Sequence, residues 1–271
     1  MALDSPLLEQ NLLFGSGEHF SFNNSSIEGE RYYIENFSKC RLEKKELAIA
    51  EAIKISDGIL STCNTDSQKA RAIFEYLATS ITYCKTEQSE SNYLYDALIG
   101  KSTLCDGYAN AYSVLAHLVG LDCFEKYYAS NDNEPGHIWN AVKLDNVWYN
   151  VDSTISADSW NGLTELSKEC NIYKFFGFGD DQQGHCPMFG NIIPTCDGAS
   201  SPIADLVFSE PEYYTENIIT LLQTTDKHIV VVVSTQVIDE QVMQNIANEI
   251  GDITYAYVQY NDCCAYAIKS N

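Results

Sequence analysis

The chain has 271 residues, 45% of them hydrophobic and 12% aromatic, enough to bury one substantial core and a second smaller one, which excludes a disordered protein. Its 38 acidic against 16 basic residues give a formal charge of −22, so nucleic acid and anionic membranes are not expected partners. The longest apolar run, around HIVVVVSTQVI, is far short of the roughly 18 residues that span a bilayer, and MALDSPLLEQNLLF lacks the n- and h-regions of a signal peptide. No membrane insertion is expected, and cytoplasmic residence is the default unless the N-terminus was trimmed. Ten cysteines without a CxxC pair suit neither a small disulfide scaffold nor a zinc ribbon.

Residues 1–40 mix Gly, Ser and Asn and read as an irregular N-terminal arm. Residues 42–60 carry apolar side chains near helical period, and a second helix follows, capped by Thr65 or Asp66, with Ala70, Ile73, Phe74 and Leu77 on one face. In CDGYANAYSVLAHLV, from Cys105, the polar residues Asn110, Ser113 and His117 form one narrow stripe. A helix apolar nearly all round is a buried one. HIWNAVKLDNVWYNVDST, from His137, reads as a β-hairpin turning at Asp145-Asn146. Residues 161–200 read as a long loop region with a short helix near Glu165. A C-terminal αβαββ subdomain occupies 205–271, with a final hairpin turning at Asn261-Asp262. The resulting division is an arm (1–40), a central domain (41–204) and the subdomain (205–271).

The hairpin register supplies a testable geometry. A two-residue turn sets Trp139 opposite Asp152 and His137 opposite Thr154, with His137, Trp139, Trp148 and Asp152 on one face. His137 and Asp152 are then diagonal neighbours, about 7–8 Å apart at Cα and within side-chain reach. The other face, with Ile138, Val142, Leu144, Val147, Tyr149 and Val151, is the natural core side, interrupted by Asn140. A histidine oriented by a carboxylate suits the work of ionising a thiol. Cys105 is the best-placed thiol, since a helix N-terminus stabilises a thiolate and its free N–H groups can bind an oxyanion. Gly107 would permit close approach of backbone or substrate. His117 lies roughly 18 Å along the same helix and cannot partner Cys105. Cys170, His185, Cys186 and Cys196 form a weaker candidate zinc cluster.

From Asp66 to Asp158 the chain resembles the transglutaminase-like domain of bacterial cysteine peptidases, through KARAIFEYLATSITYC, YLYDALIGKSTLCDGYANAY, GHIWNAV and VWYNVDST in matching order and spacing. FFGFGDDQQGH resembles a later stretch of that family. The resemblance implies an α+β, papain-like transglutaminase core in which the cysteine helix packs on an antiparallel sheet. It assigns Cys105 as nucleophile, His137 as base and Asp152 as orienting acid. Tyr95, Trp139 and Trp148 become candidates for lining the substrate cleft. Ile155 stands where many relatives carry tryptophan.

The activity implied is thiol-dependent attack on an amide of a peptide or protein substrate, needing neither metal nor cofactor. Hydrolysis of the thioester makes a peptidase or amidase; aminolysis by lysine makes a crosslinking transglutaminase. Hydrolysis is favoured because nothing resembles the calcium sites and sandwich domains of the animal crosslinking enzymes. A non-catalytic binding module on the same fold is the remaining alternative. Oligomeric state is left open.

Overall fold

The computed structural model describes residues 27–84, 93–128, 136–155, 157–180, 196, 204–208, 214–225, 229–234, 236–260 and 263–270. Helices and largely antiparallel sheets are both present, which is the α+β class implied by the sequence. Packing divides the chain into two compact units, Met1–Val142 with Ser153–Asp158, and Lys143–Asp152 with Ser159–Asn271.

In the first unit, helix α1 (Ile27–Thr62) begins inside the stretch expected to be an irregular arm. After Gly29 that stretch holds no proline and only Gly58 as a further glycine, so good helix formers propagate one long helix. Helix α2 (Asp66–Ser80) starts at a capping box: Thr65 Oγ1 accepts from the Gln68 amide, and the Gln68 side chain accepts from the Thr65 amide, both at 3.2 Å. Ala70, Ile73, Phe74 and Leu77 form its buried face, as their spacing predicts.

Strand β1 (Thr82–Tyr83) pairs in parallel with β2 (Ser102–Thr103). Between them a single turn, α3 (Tyr93–Tyr95), runs into a π-helical turn at Asp96–Gly100. Lys101 then reverses the chain at φ 57°, a conformation costly for a side chain with a Cβ. Its ammonium is held by the Tyr76 hydroxyl at 2.6 Å, which offsets part of that cost. Helix α4 (Cys105–Leu118) follows; every residue from Gly107 to Ala116 is buried, and α1 and α2 pack against it. Strand β3 (Cys123–Tyr128), not anticipated from the sequence, also packs on α4 and pairs antiparallel with β4 (His137–Leu144), Glu125 opposite Asn140 and Lys126 opposite Trp139.

Asp145 (φ 51°) and Asn146 (φ 67°) form the two-residue turn into β5 (Val147–Val151), where the sequence places it. Helix α5 spans Ala157–Asn161. In the second unit, helix α6 (Glu165–Phe175) leads directly into β6 (Phe176–Phe178), antiparallel to β5. One sheet has the order β3–β4–β5–β6. The C-terminal part contains β7 (Leu206–Phe208), α7 (Tyr214–Thr224), β8 (Val230–Ser234), α8 (Glu240–Ile250), β9 (Ile253–Tyr260) and β10 (Cys263–Ser270), in the sheet order β7–β8–β10–β9.

The expected αβαββ module is therefore βαβαββ. The added β7 pairs in parallel with β8, and at three residues it is too short to show a period. The β9–β10 register opposes Tyr260 and Cys263, and the turn expected at Asn261-Asp262 lies outside the described residues. One face of this sheet buries Ile218, Met243 and Ile246 from α7 and α8 against Val230, Val232, Tyr266 and Ile268. Full burial of side chains of this size stabilises by about 1.5–3 kcal/mol each. On the other face Leu166 and Cys170 of α6 pack on Ala267, so the helix expected within a loop region is part of this layer.

Candidate active site

Cys105 is the first residue of α4 and half-buried. The position before it, Leu104, has extended backbone (φ −92°, ψ −175°) and supplies no side-chain cap. Most helices quench their first N–H groups with a Ser, Thr, Asp or Asn oxygen at this point. Here leucine has no oxygen to offer, and the residue carrying the thiol follows directly. The Gly107 amide is already engaged by the Asp106 carboxylate at 2.8 Å. The amides nearest the thiol, those of Cys105 and Asp106, are the ones suited to an oxyanion.

The approach to Cys105 is held from both sides. Thr82 N–H bonds to the Lys101 carbonyl at 2.9 Å and Cys84 N–H to the Thr103 carbonyl at 2.8 Å, fixing the two residues that precede Leu104 within β2. A Cβ added to Gly107 would lie 2.0 Å from Thr103 Oγ1. Gly107 is thus required by a neighbouring side chain, where the sequence reading reserved the space for backbone or substrate. One position on, the Tyr108 hydroxyl lies 2.8 Å from the Ile81 carbonyl and 3.0 Å from that of Ile155. Burial raises its pKa well beyond the ordinary tyrosine range, so it remains a neutral donor. Ile81 also accepts from Ala157 N–H at 2.8 Å, and the segment after Asp152 is thereby tied to the start of α4.

His137 opens β4, half-buried, its ring stacked on Trp139 with centroids 6.0 Å apart. Trp139 is 1% exposed and the Lys126 ammonium lies 6.0 Å from its ring centroid. The alternate residues of β4 include Asn140, whose Nδ2 donates to the Ala109 carbonyl at 3.0 Å. The polar interruption of the core-facing row is therefore the bond that joins β4 to α4. Cys105 and His137 belong to the same compact unit.

Asp152 falls in the second unit, buried at 8% exposure, its N–H donating to the Phe175 carbonyl at 2.7 Å. Just before it the β5–β6 register shifts, with Asn150 opposite Phe178 and Val151 opposite Phe176. Gly177, at φ 77°, is the extra residue of this bulge, a conformation open to glycine. Asn150 Nδ2 donates to Asp180 Oδ1 at 2.9 Å, and Asp180 Oδ2 accepts from Cys196 N–H. Gly177, Asn150 and Asp180 were not singled out in the sequence, although the glycine inside FFGFG is its visible trace.

Tyr95 lies in α3 with the Lys44 ammonium 5.2 Å from its ring, and Trp148 has the Lys143 ammonium 5.9 Å from its ring. Among the described residues no cluster could hold a metal ion. Cys170 donates to the Ala256 carbonyl at 3.2 Å, with burial raising its pKa to about 12. His185 and Cys186 lie outside the described residues.

Residues 53–153 match the family model of the transglutaminase-like superfamily. That segment is similar to transglutaminase-like domains. The matched range contains Cys105, His137 and Asp152. The human protein named kyphoscoliosis peptidase is 25% identical over 174 residues, and the mouse protein of that name 26% identical over 178 residues. Each match takes in 59% of this chain and 26% of the relative, so the similarity spans about a quarter of those proteins' length. A crystal structure of a TGase is similar with a TM-score of 0.34 and 21% identity, over 45% of this chain and 38% of that one.

Proposed function

We propose that the transglutaminase-like domain is a thiol-dependent acyl-transfer enzyme, with Cys105 as nucleophile, His137 as base and Asp152 as the group that orients His137. The observation that carries this reading is Cys105 itself: a half-buried cysteine on the first residue of a buried helix whose N-cap position is leucine. A rigid mount, a positive dipole end and first-turn amides are what thiolate formation and oxyanion binding need. The two positive-φ residues at Asp145 and Asn146 support the hairpin register on which the diagonal relation of His137 and Asp152 depends.

In this mechanism His137 takes the Cys105 proton, the thiolate attacks a peptide carbonyl, and the first-turn amides of α4 hold the oxyanion. The proton on His137 then passes to the leaving amine, and a thioester remains on Cys105. We favour water as the group that resolves it, making a peptidase or amidase. The name peptidase borne by the curated relatives supports that choice. Transfer to a lysine amine is the second reading, and it uses the same three residues. Incubating the protein with peptide libraries, with and without a primary amine, separates the two: cleavage alone supports hydrolysis, and amine incorporation supports transfer. The absence of both, with wild-type folding verified, would leave a binding module.

A further inference from the structure

The polar stripe of α4 has an unexplained counterpart on the sheet. Asn110 Nδ2 lies 3.5 Å from Glu125 Oε1, and Asp106, one turn earlier on the same side of the helix, repels the Glu125 carboxylate. Glu125 stands directly opposite Asn140 in the β3–β4 register, so the two side chains share a face with Cβ atoms about 4.5–5.5 Å apart. Asn140 is completely buried. Its Nδ2 is used on the Ala109 carbonyl, while its Oδ1 has no hydrogen-bond partner among the described residues. A buried acceptor without a donor costs roughly 1–3 kcal/mol, so a donor is to be sought nearby.

We propose that Glu125 is a positioning residue carried as a neutral carboxylic acid, whose O–H donates to Asn140 Oδ1 and completes a hydrogen-bonded bridge between α4 and β4. The bridge runs from Asn110 Nδ2–H to the Glu125 carbonyl oxygen, from the Glu125 O–H to Asn140 Oδ1, and from Asn140 Nδ2–H to the Ala109 carbonyl. It joins the second turn of the helix that begins at Cys105 to the strand that begins at His137. A carboxylate has no proton to give, so ionisation of Glu125 would break the middle link. The surroundings favour the acid form: burial is the main cause that raises the Glu125 pKa, Asp106 adds to it, and the Asn110 amide opposes it. On the same face of β3, Cys123 is kept as a neutral thiol by burial, within side-chain hydrogen-bond reach of Ser113 and Asn140. The β4 residues of that face, Ile138, Asn140 and Val142, carry no charge.

The link from this bridge to reactivity rests on the reading of Cys105 as nucleophile; the bridge itself does not. The test is a ¹³C-detected titration of the Glu125 carboxyl in the full chain, assigned by loss of its signal in Glu125→Gln. Melting temperature and Cys105 alkylation are followed over the same pH range. The proposal expects titration above the ordinary glutamate value of about 4.3. It also expects the Glu125 contribution to stability to be lost as pH rises through that raised value, and this loss to be absent in Glu125→Gln, which keeps a donor and an acceptor but cannot ionise. Glu125→Ala should lower the melting temperature by about 2–4 °C where the acid form prevails. Titration in the ordinary range, or an unchanged pH dependence in Glu125→Gln, overturns the bridge. A raised titration with Cys105 no faster to alkylate than a free thiol supports the bridge and overturns the nucleophile reading instead.

Discussion

Gly107 and Thr103 pack so closely that no side chain fits at position 107: an added Cβ would meet Oγ1, Cβ and Cγ2 of Thr103 at 2.0, 2.7 and 2.7 Å. Thr103 is itself buried, at 3% exposure, and pinned in the β1–β2 pair, so it has little room to yield. Gly107→Ala should therefore destabilise by about 1–3 kcal/mol, measured by denaturant unfolding. Shaving the neighbour in the double variant Thr103→Ala/Gly107→Ala should recover part of that loss. An additive double mutant would show that the two residues are not in conflict.

Tyr108→Phe removes the hydroxyl shared between the Ile81 and Ile155 carbonyls. Ile81 retains Ala157 N–H as a donor, so the loss falls mainly on the Ile155 carbonyl, in the segment after Asp152. A cost of about 1–3 kcal/mol is expected in unfolding free energy. Faster amide exchange should appear in residues 153–157 before it appears in α2.

His117 lies on the α4 stripe, its Nδ1 buried and without a partner among the described residues. Burial is the main cause that lowers its pKa, outweighing the Ser113 and Cys123 backbone and the Asp122 carboxylate, which favour the cation. A histidine with a folded pKa below its unfolded value destabilises as pH falls, starting near the unfolded value of about 6.5 and continuing through the folded value. Unfolding free energy should decline across that acid window, and His117→Gln should flatten the decline. Glu125 acts in the opposite sense, its contribution being lost as pH rises, so the two variants should alter opposite limbs of the stability profile.

Thr65→Ala removes one half of the capping box of α2 and should cost about 1 kcal/mol. Because Thr65 is exposed and is not one of the proposed site residues, alkylation of Cys105 should keep its rate in this variant. A parallel loss of both would mean that reactivity merely follows stability.

These cases mark what was legible in the chain. A cap at Thr65 or Asp66, and a turn at Asp145-Asn146 between alternating runs, are short-range patterns whose physics is complete within a few residues; the cap falls on Thr65 and the turn on Asp145-Asn146. The stripe Asn110, Ser113, His117 is visible too, but what it faces is not, because CFEKYY carries little period-two signal to mark β3. Gly107 against Thr103, Asn140 with Ala109, and α6 on the C-terminal sheet depend on which elements meet in three dimensions. No local pattern encodes such meetings. At the site, residue types and their order pointed to Cys105, His137 and Asp152. The leucine at the N-cap, the Gly177 bulge before Asp152 and the deep burial of Trp139 are properties of the folded chain.

The most direct test of the central claim is the rate of iodoacetamide alkylation at each cysteine, read by peptide mass spectrometry near neutral pH in the wild type and in His137→Ala. Cys123 and Cys170 are buried with raised pKa values, and half-exposed Cys63 serves as an internal reference. The account predicts that Cys105 reacts fastest in the wild type and slows to the level of Cys63 in His137→Ala. Equal, sluggish labelling of Cys105 and Cys63 in the wild type would contradict it.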